Sequence, residues 1–161
     1  MPARIQTRPL LIGLVADTHG LIRPQALDAL RGADLIIHAG DIGKAEVLDA
    51  LKPIAPLRAI KGNNDRGLWA KKMADTMIVT VGGVKLYLIH DVNELSCEPS
   101  KQGIAAVISG HSHKPSIIRR DGVLFVNPGS AGPRRFNLPV AVGMLHVDGS
   151  DATAEIIELK I

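Results

Sequence analysis

The sequence predicts a mixed α/β layered domain, parallel in its first half and antiparallel in its second. Three observations carry this. Short apolar runs alternate with helix-like segments over residues 10–60, the pattern of consecutive βαβ units. Later apolar runs are divided by Gly-Gly and Asp-Gly steps, which are hairpin punctuation. The chain's 161 residues, 46% hydrophobic and 22% charged, lie in the range of one globular core that folds without disulfide staples.

Residues 10–16 are continuously apolar after Pro9 and end at Asp17, as a strand buried on both faces does. Pro24 suits the first turn of a helix, Ala26, Leu27 and Leu30 keep helical spacing, and Gly32 supplies the stop. A second strand over 34–38 ends in Ala39-Gly40-Asp41. A second helix over 44–51 stops ahead of Pro53, whose ring disfavours helical backbone in the residue before it. A third strand over 57–60 runs into Lys61-Gly62-Asn63-Asn64-Asp65. Beyond it, 77–81 and 84–89 flank Gly82-Gly83 as a hairpin and deliver His90. A buried strand over 105–109 leads into Gly110-His111-Ser112-His113. Further hairpins are expected for 117–119 with 123–126, and for 140–147 with 153–159 around Asp148-Gly149. No repeat, linker or low-complexity stretch divides the chain, so one domain is expected over 1–161.

Composition narrows the partners. Aromatics make up 2% of the chain, so stacking platforms for single-stranded nucleic acid are scarce. A net charge of +3 is too small for a binder that works by releasing phosphate counterions, and strong nucleic-acid binding is not expected. No apolar run reaches the ~20 residues of a membrane span, and no apolar segment with a cleavage site heads the chain. With Cys97 as the one cysteine, these features favour a cytoplasmic protein.

Open α/β sheets bind ligands outside the carboxyl ends of their strands. Here those ends carry Asp17, His19, Asp41, Asn63, His90, His111 and His113. Asp17-Thr18-His19 and His111-Ser112-His113 each set two ligand types at i and i+2, which share a side where extended backbone persists. Carboxylates, imidazoles and an amide oxygen suit divalent manganese, iron, nickel, cobalt or zinc, and no thiolate draws the site toward copper or structural zinc. His111 and His113 are expected at the mouth of such a site. His38, just before Ala39-Gly40-Asp41, is expected to be a buried support.

In order along the chain, Asp17-Thr18-His19, Gly40-Asp41, Gly62-Asn63-Asn64-Asp65, His90 and Gly110-His111-Ser112-His113 resemble the calcineurin-like metallophosphoesterase superfamily. The short length and Asn127-Pro128-Gly129-Ser130 are similar to its small bacterial and archaeal phosphodiesterase group. The resemblance implies a two-sheet mixed β sandwich flanked by helices, with a dinuclear metal centre at one edge. It implies Asp17, His19 and His113 on one cation, Asn63, His90 and His111 on the other, and Asp41 bridging both, with Asp41, Asn63 and His111 as the catalytic group. Two divalent ions, manganese foremost, would generate a bridging hydroxide that hydrolyses a small phosphodiester. The alternative reading is a non-catalytic scaffold of the same fold, resembling the retromer subunit. A homo-oligomer is compatible with either.

Two positions depart from the pattern. Larger members carry a proton-donating His where this chain has Asn64, and an amide delivers no proton at neutral pH. Asp91 replaces the usual Gly after His90, where it either holds a ligand or narrows the site. Asp65 is expected to orient the loop or a ligand rather than bind metal. Arg134 and Arg135 are candidates for meeting an anionic substrate as fork donors.

Overall fold

The computed structural model describes residues 9–161. The stretch of the expected 1–161 domain before residue 9, and with it the expectation about a leader, lies outside the described residues.

Strand β1 (Leu10–Val15) is followed by helix α1 (Pro24–Leu30), β2 (Leu35–His38), α2 (Ala45–Leu51) and β3 (Leu57–Ala59). These are the elements the apolar runs predicted. A short helix α3 (Leu68–Lys71) follows, and then the hairpin of β4 (Thr76–Val81) and β5 (Val84–Ile89). Two 3-10 turns (Val92–Glu94 and Pro99–Gln102) lead to β6 (Ile104–Ile108), β7 (Ser116–Arg120), β8 (Val123–Asn127), β9 (Ala141–Asp148) and β10 (Asp151–Glu158).

The strands form two five-stranded sheets, ordered β10-β9-β1-β2-β3 and β4-β5-β6-β8-β7. Both are mixed, which is the sandwich expected from the resemblance. The division into a parallel first half and an antiparallel second half is corrected: β5, β6 and β8 run parallel at the centre of the second sheet, and the β9–β10 hairpin lies antiparallel against β1 in the first. Period-two patterning identifies a strand but not its partner, and the 3-10 segment makes the β5-to-β6 crossover without a helix.

Alternation along β1 positions the layers. Ile12 and Leu14 face the core between the sheets, with Leu86, Leu88, Ile108 and Val126 opposite, while Val15 faces Leu30, Val47 and Leu51 on the helical side. The first sheet is therefore covered on both faces, which explains its unbroken apolar run. The outer face of the second sheet buries a smaller group, Ile89, Ile104, Val107 and Val123, beside the 3-10 segment. Among the described residues no helix is long and apolar enough to cross a membrane.

Candidate metal centre

β1, β2, β3, β5 and β6 end at one edge of the sandwich, and the loops leaving them carry the strand-end residues. The loops after β1 and β2 zip together through backbone bonds from Asp17 N to Gly40 O, His19 N to Asp41 O and Gly20 N to Ile42 O. Close approach makes the glycines necessary. A Cβ at Gly43 would stand 2.2 Å from Gly20 N, and one at Gly62 would stand 2.3 Å from Asp41 Oδ1.

The sequence argument for shared direction is corrected here. Asp17, His19, Asp41, His111 and His113 all have positive φ, from 46 to 73°, so the i, i+2 pairs do not sit on extended backbone. Left-handed backbone is costly for residues other than Gly and concentrates at functional sites. It turns these side chains out of the strand alternation and toward a common space.

The separations are short. Asp17, His19 and His113 can each offer one ligand atom within 4.8 Å of the others, and Asp17, Asp41 and His90 form a second such group. Asp17 Oδ1 lies 3.6 Å from His113 Nε2, 3.8 Å from His90 Nε2 and 3.9 Å from His19 Nε2. Asp41 Oδ2 lies 3.2 Å from His90 Nε2 and 3.8 Å from His19 Nε2. Each carboxylate thus faces histidines of both groups. His19 Nε2 and His113 Nε2 are 3.2 Å apart with their rings stacked. Two nitrogens bound to one divalent ion at about 2.0–2.1 Å stand roughly 3 Å apart, so the pair fits shared coordination.

Orphaned polar atoms make the same point. Asp17 Oδ1 and His90 Nε2 are buried without a hydrogen-bond partner. Burial of the Asp17 carboxyl pushes its pKa up to about 7 despite His90 nearby. Burial also holds His19 down, and with the charge of Arg135 it brings His113 to about 4, so both rings favour the neutral, ligating form. Asp41 behaves oppositely: burial opposes its charge, but His90 Nε2 3.2 Å away and the bonds from Asn64 outweigh that and keep it below the carboxylate range. His90, disfavoured as a cation by burial, is nevertheless raised by Asp41 and the Ala39 carbonyl. Oxygen and nitrogen donors, two carboxylates and unsatisfied atoms facing one space together fit a divalent cation.

The supports are well defined. The Asp65 carboxylate accepts from Ile42 N, Gly43 N and Gly62 N at 2.8–3.1 Å, tying the second loop to the third. His38 is fully buried, accepts from Gly40 N and bonds Thr18 Oγ1, which donates to Ile42 O. Burial brings its pKa down to about 3, so it serves as a neutral strut. His90 Nδ1 bonds the Ala39 carbonyl at 2.8 Å, which orients its Nε2 toward the carboxylates. Asp17 Oδ2 accepts from His111 N, and Asn64 donates to Asp41 from its backbone N at 2.9 Å and its Nδ2 at 3.3 Å.

Not every expected residue joins the tight groups. His111 is exposed, its ring edge-on to His90, with Asp91 Oδ2 3.7 Å from its Nε2. His113, expected at the mouth, is instead buried. Asn63 is exposed and lines a cleft shared with His90. The other Asp91 oxygen caps the first 3-10 turn through Asn93 N. Arg135 is exposed, yet its charge acts on Asp17, His19 and His113, whereas Arg134 shows no such coupling.

Sequence reasoning missed the loop after β8. Ser130 Oγ donates to Asp17 O, Ala131 N donates to Ala16 O, and Arg23 reaches Gly132 O, so this loop closes the buried side of the centre. Its one visible signal was Asn127-Pro128-Gly129-Ser130.

A model of the calcineurin-like phosphoesterase superfamily domain matches residues 10–150. A probable metallophosphoesterase of Methanothermobacter thermautotrophicus is 33% identical over 160 residues, covering 92% of this chain and 92% of that protein. Among solved structures, the fold is similar to an archaeal phosphodiesterase (TM-score 0.71, 22% identity, 92% of this chain and 100% of that one). It is also similar to Vps29 of Entamoeba histolytica complexed with zinc (TM-score 0.74, 21% identity, 94% and 100%).

Proposed function

The chain belongs to the calcineurin-like phosphoesterase superfamily, a fold that implies divalent metal, and on that premise we propose that it hydrolyses small phosphodiesters at a two-metal centre. The observation that carries this reading is the convergence of Asp17, His19, Asp41, His90 and His113 on one space with unpartnered buried atoms aimed into it. Asp17, His19 and His113 would hold one cation, Asn63, His90 and His111 the other, and Asp41 would serve both. Manganese is the first choice, and the same oxygen and nitrogen donors accept nickel, iron, cobalt or zinc. When bound, the cations supply the positive charge that polarises phosphoryl oxygens and makes water nucleophilic near neutral pH.

The remaining work belongs to the chain. Asp41 stays ionised, and its two hydrogen bonds from Asn64 fix its direction. His90 is held by the Ala39 carbonyl, and the loops are held by Asp65. The charge of Arg135 acts on His19 and His113, so an anionic substrate on that side would meet it through a non-bridging oxygen. Asn64 donates hydrogen bonds but no proton, so the departing oxygen leaves without a general acid at that position. The diester preference is supported by the archaeal phosphodiesterase of like fold.

The test is a metal add-back series on chelated protein, assayed on bis(p-nitrophenyl) phosphate and p-nitrophenyl phosphate together. Restoration of diester hydrolysis by manganese, with about two ions bound per chain, is expected. Faster monoester turnover overturns the diester assignment. Silence on both esters with every metal supports a scaffold.

A further inference from the structure

Past His111 and Asp91, on the open side of the centre, lies a cavity of about 530 Å³. That is within the roughly 300–1,000 Å³ of small-molecule sites. Its walls include Val92, Leu95, Ile118 and Phe125, and its charged groups besides Asp91 and His111 are Lys114 and Arg120. Val92 and Ile118 are 36% and 49% exposed, apolar side chains that the core leaves unclaimed. The Arg120 guanidinium stands 5.8 Å from the Phe125 ring centroid, so one side of this wall is a cation paired with an aromatic face. None of these four apolar walls is needed to hold metal or phosphate.

Geometry leaves a diester few directions in which to extend. The loop after β8 closes the side of Asp17 and His113. A smaller cleft beyond His90 and Asn63 is lined by Lys61, Asp75 and Glu94, all charged. The cavity past His111 offers apolar walls beside a candidate metal ligand. A phosphodiester differs from a monoester in carrying a second organic group, and this cavity is shaped and walled to take one. We infer that it binds one ester arm of the substrate, and that this arm is a ring with apolar faces, either a plain aryl group or the base-bearing part of a nucleotide. The inference rests on the diesterase reading for its substrate but has an independent readout in binding.

The experiment titrates diphenyl phosphate and dimethyl phosphate into chelated and manganese-loaded protein by calorimetry, using the natural chain, Ile118→Asp and Val92→Asp. Both substitutions fall on exposed side chains of the lining, and circular dichroism checks the fold. The natural chain should bind diphenyl phosphate about tenfold or more tightly than dimethyl phosphate, since burying a ring removes much apolar surface from water. That preference should shrink to about twofold in the folded variants, as the new carboxylate wets the wall that the ring would cover. In parallel, kcat/KM for phenyl and methyl p-nitrophenyl phosphate should favour the phenyl ester in the natural chain, and that ratio should shrink in the folded variants as the binding preference does. Thymidine 5′-(p-nitrophenyl phosphate) separates the two sources: a further gain over the phenyl ester assigns a nucleotide, and none assigns an aryl group. Equal binding of the two phosphates by the natural chain, or an unchanged preference in both folded variants, overturns the inference. Retained binding preference without turnover under any metal removes the diesterase reading and leaves the cavity assigned.

Discussion

His111 and His113 sit two residues apart on one loop, but their side chains are 43% and 3% exposed. His113 stacks on His19 against buried Asp17, under a loop pinned by Ser130. His111 is edge-on to His90, with Asp91 3.7 Å away and the large cavity behind it. The closed side is fixed by the chain itself, through backbone bonds and carboxylate clamps. The open side leaves its ligand atoms within reach of whatever enters. The difference separates two tasks: holding charge where water is excluded, and admitting a substrate of a given shape.

The sharpest way to break this comparison is Asp41→Ala. Asp41 Oδ2 faces His90 on one side and His19 on the other, so its loss should lower metal content on both sides together. Activity should fall by well over the roughly 10–100-fold that a lost outer partner costs. Elemental analysis with turnover decides it, and full metal content would exclude the bridging role.

Asp65→Ala tests whether the closed side is held by its clamp. Three backbone N–H groups lose their acceptor, at about 1–3 kcal/mol for each one left buried and unsatisfied. A melting temperature lower by roughly 6 °C or more is expected for a chain this size, with metal affinity weakened about 10–100-fold. Chelated and metal-loaded melts should both shift. An effect confined to the metal-loaded form would make Asp65 a ligand instead.

The placement of the site was legible because β1, β2, β3 and β6 announce their own ends: apolar runs stop at Asp17, Asp41, Asn63 and His111, and strand ends converge wherever strands run parallel. What gathers the side chains was hidden. The left-handed backbone at Asp17, His19, Asp41, His111 and His113 has no signature in residues that also occupy ordinary turns. Asp65 was expected to orient the loop or a ligand, but which groups it would hold was hidden, because its three donors come from two loops, one of them 23 residues away. The parallel pairing of β5, β6 and β8 was invisible for a related reason, since alternation marks faces and not neighbours. Helix α3 spans only four residues, too few for a period. The cavity draws its walls from residues 91–95, 109–120 and 125–127, which only the folded chain brings together.

A smaller effect distinguishes a site built for metal from one built for stability. In chelated protein Asp17 is raised from 3.8 to about 7 by burial, so the folded state binds its proton more tightly than the unfolded state does. The stability this group contributes is full below the unfolded value and is lost as pH rises toward 7. Asp17→Asn should therefore stabilise the chelated protein by about 1–3 kcal/mol above pH 7, and by little near pH 4. His38 and His113, both lowered, carry the opposite sign and lose stability as pH falls below 6.5, but they do so in both proteins and cancel in the difference. Added metal should reverse the order, raising the melting temperature of the natural chain alone. A natural chain that is the more stable of the two without metal at pH 8 would show that Asp17 is satisfied by the protein.

The smallest expected effect lies on the open side, at Asn64. Its Nδ2 donates to Asp41 Oδ2 at 3.3 Å, so the amide steadies a carboxylate and supplies no proton. Rates in the natural protein should then depend steeply on leaving-group pKa, with activated aryl diesters fast and alkyl esters slow. Asn64→His installs a group that titrates near neutrality, and a well-positioned general acid contributes about 10²–10⁴-fold. Only a few-fold gain is expected here, because the new ring must forgo the bond to Asp41 before it can face a departing oxygen. The gain should be confined to poor leaving groups, flattening the dependence, and it should bring an alkaline limb to the rate profile. A graded ester series on both proteins measures it. If the natural protein already shows a shallow dependence, a proton is reaching the leaving oxygen from elsewhere. Asp91, beside His111 at the entrance to the cavity, is the carboxyl placed to deliver it, and Asp91→Asn would then steepen the series where Asn64→His leaves it unchanged.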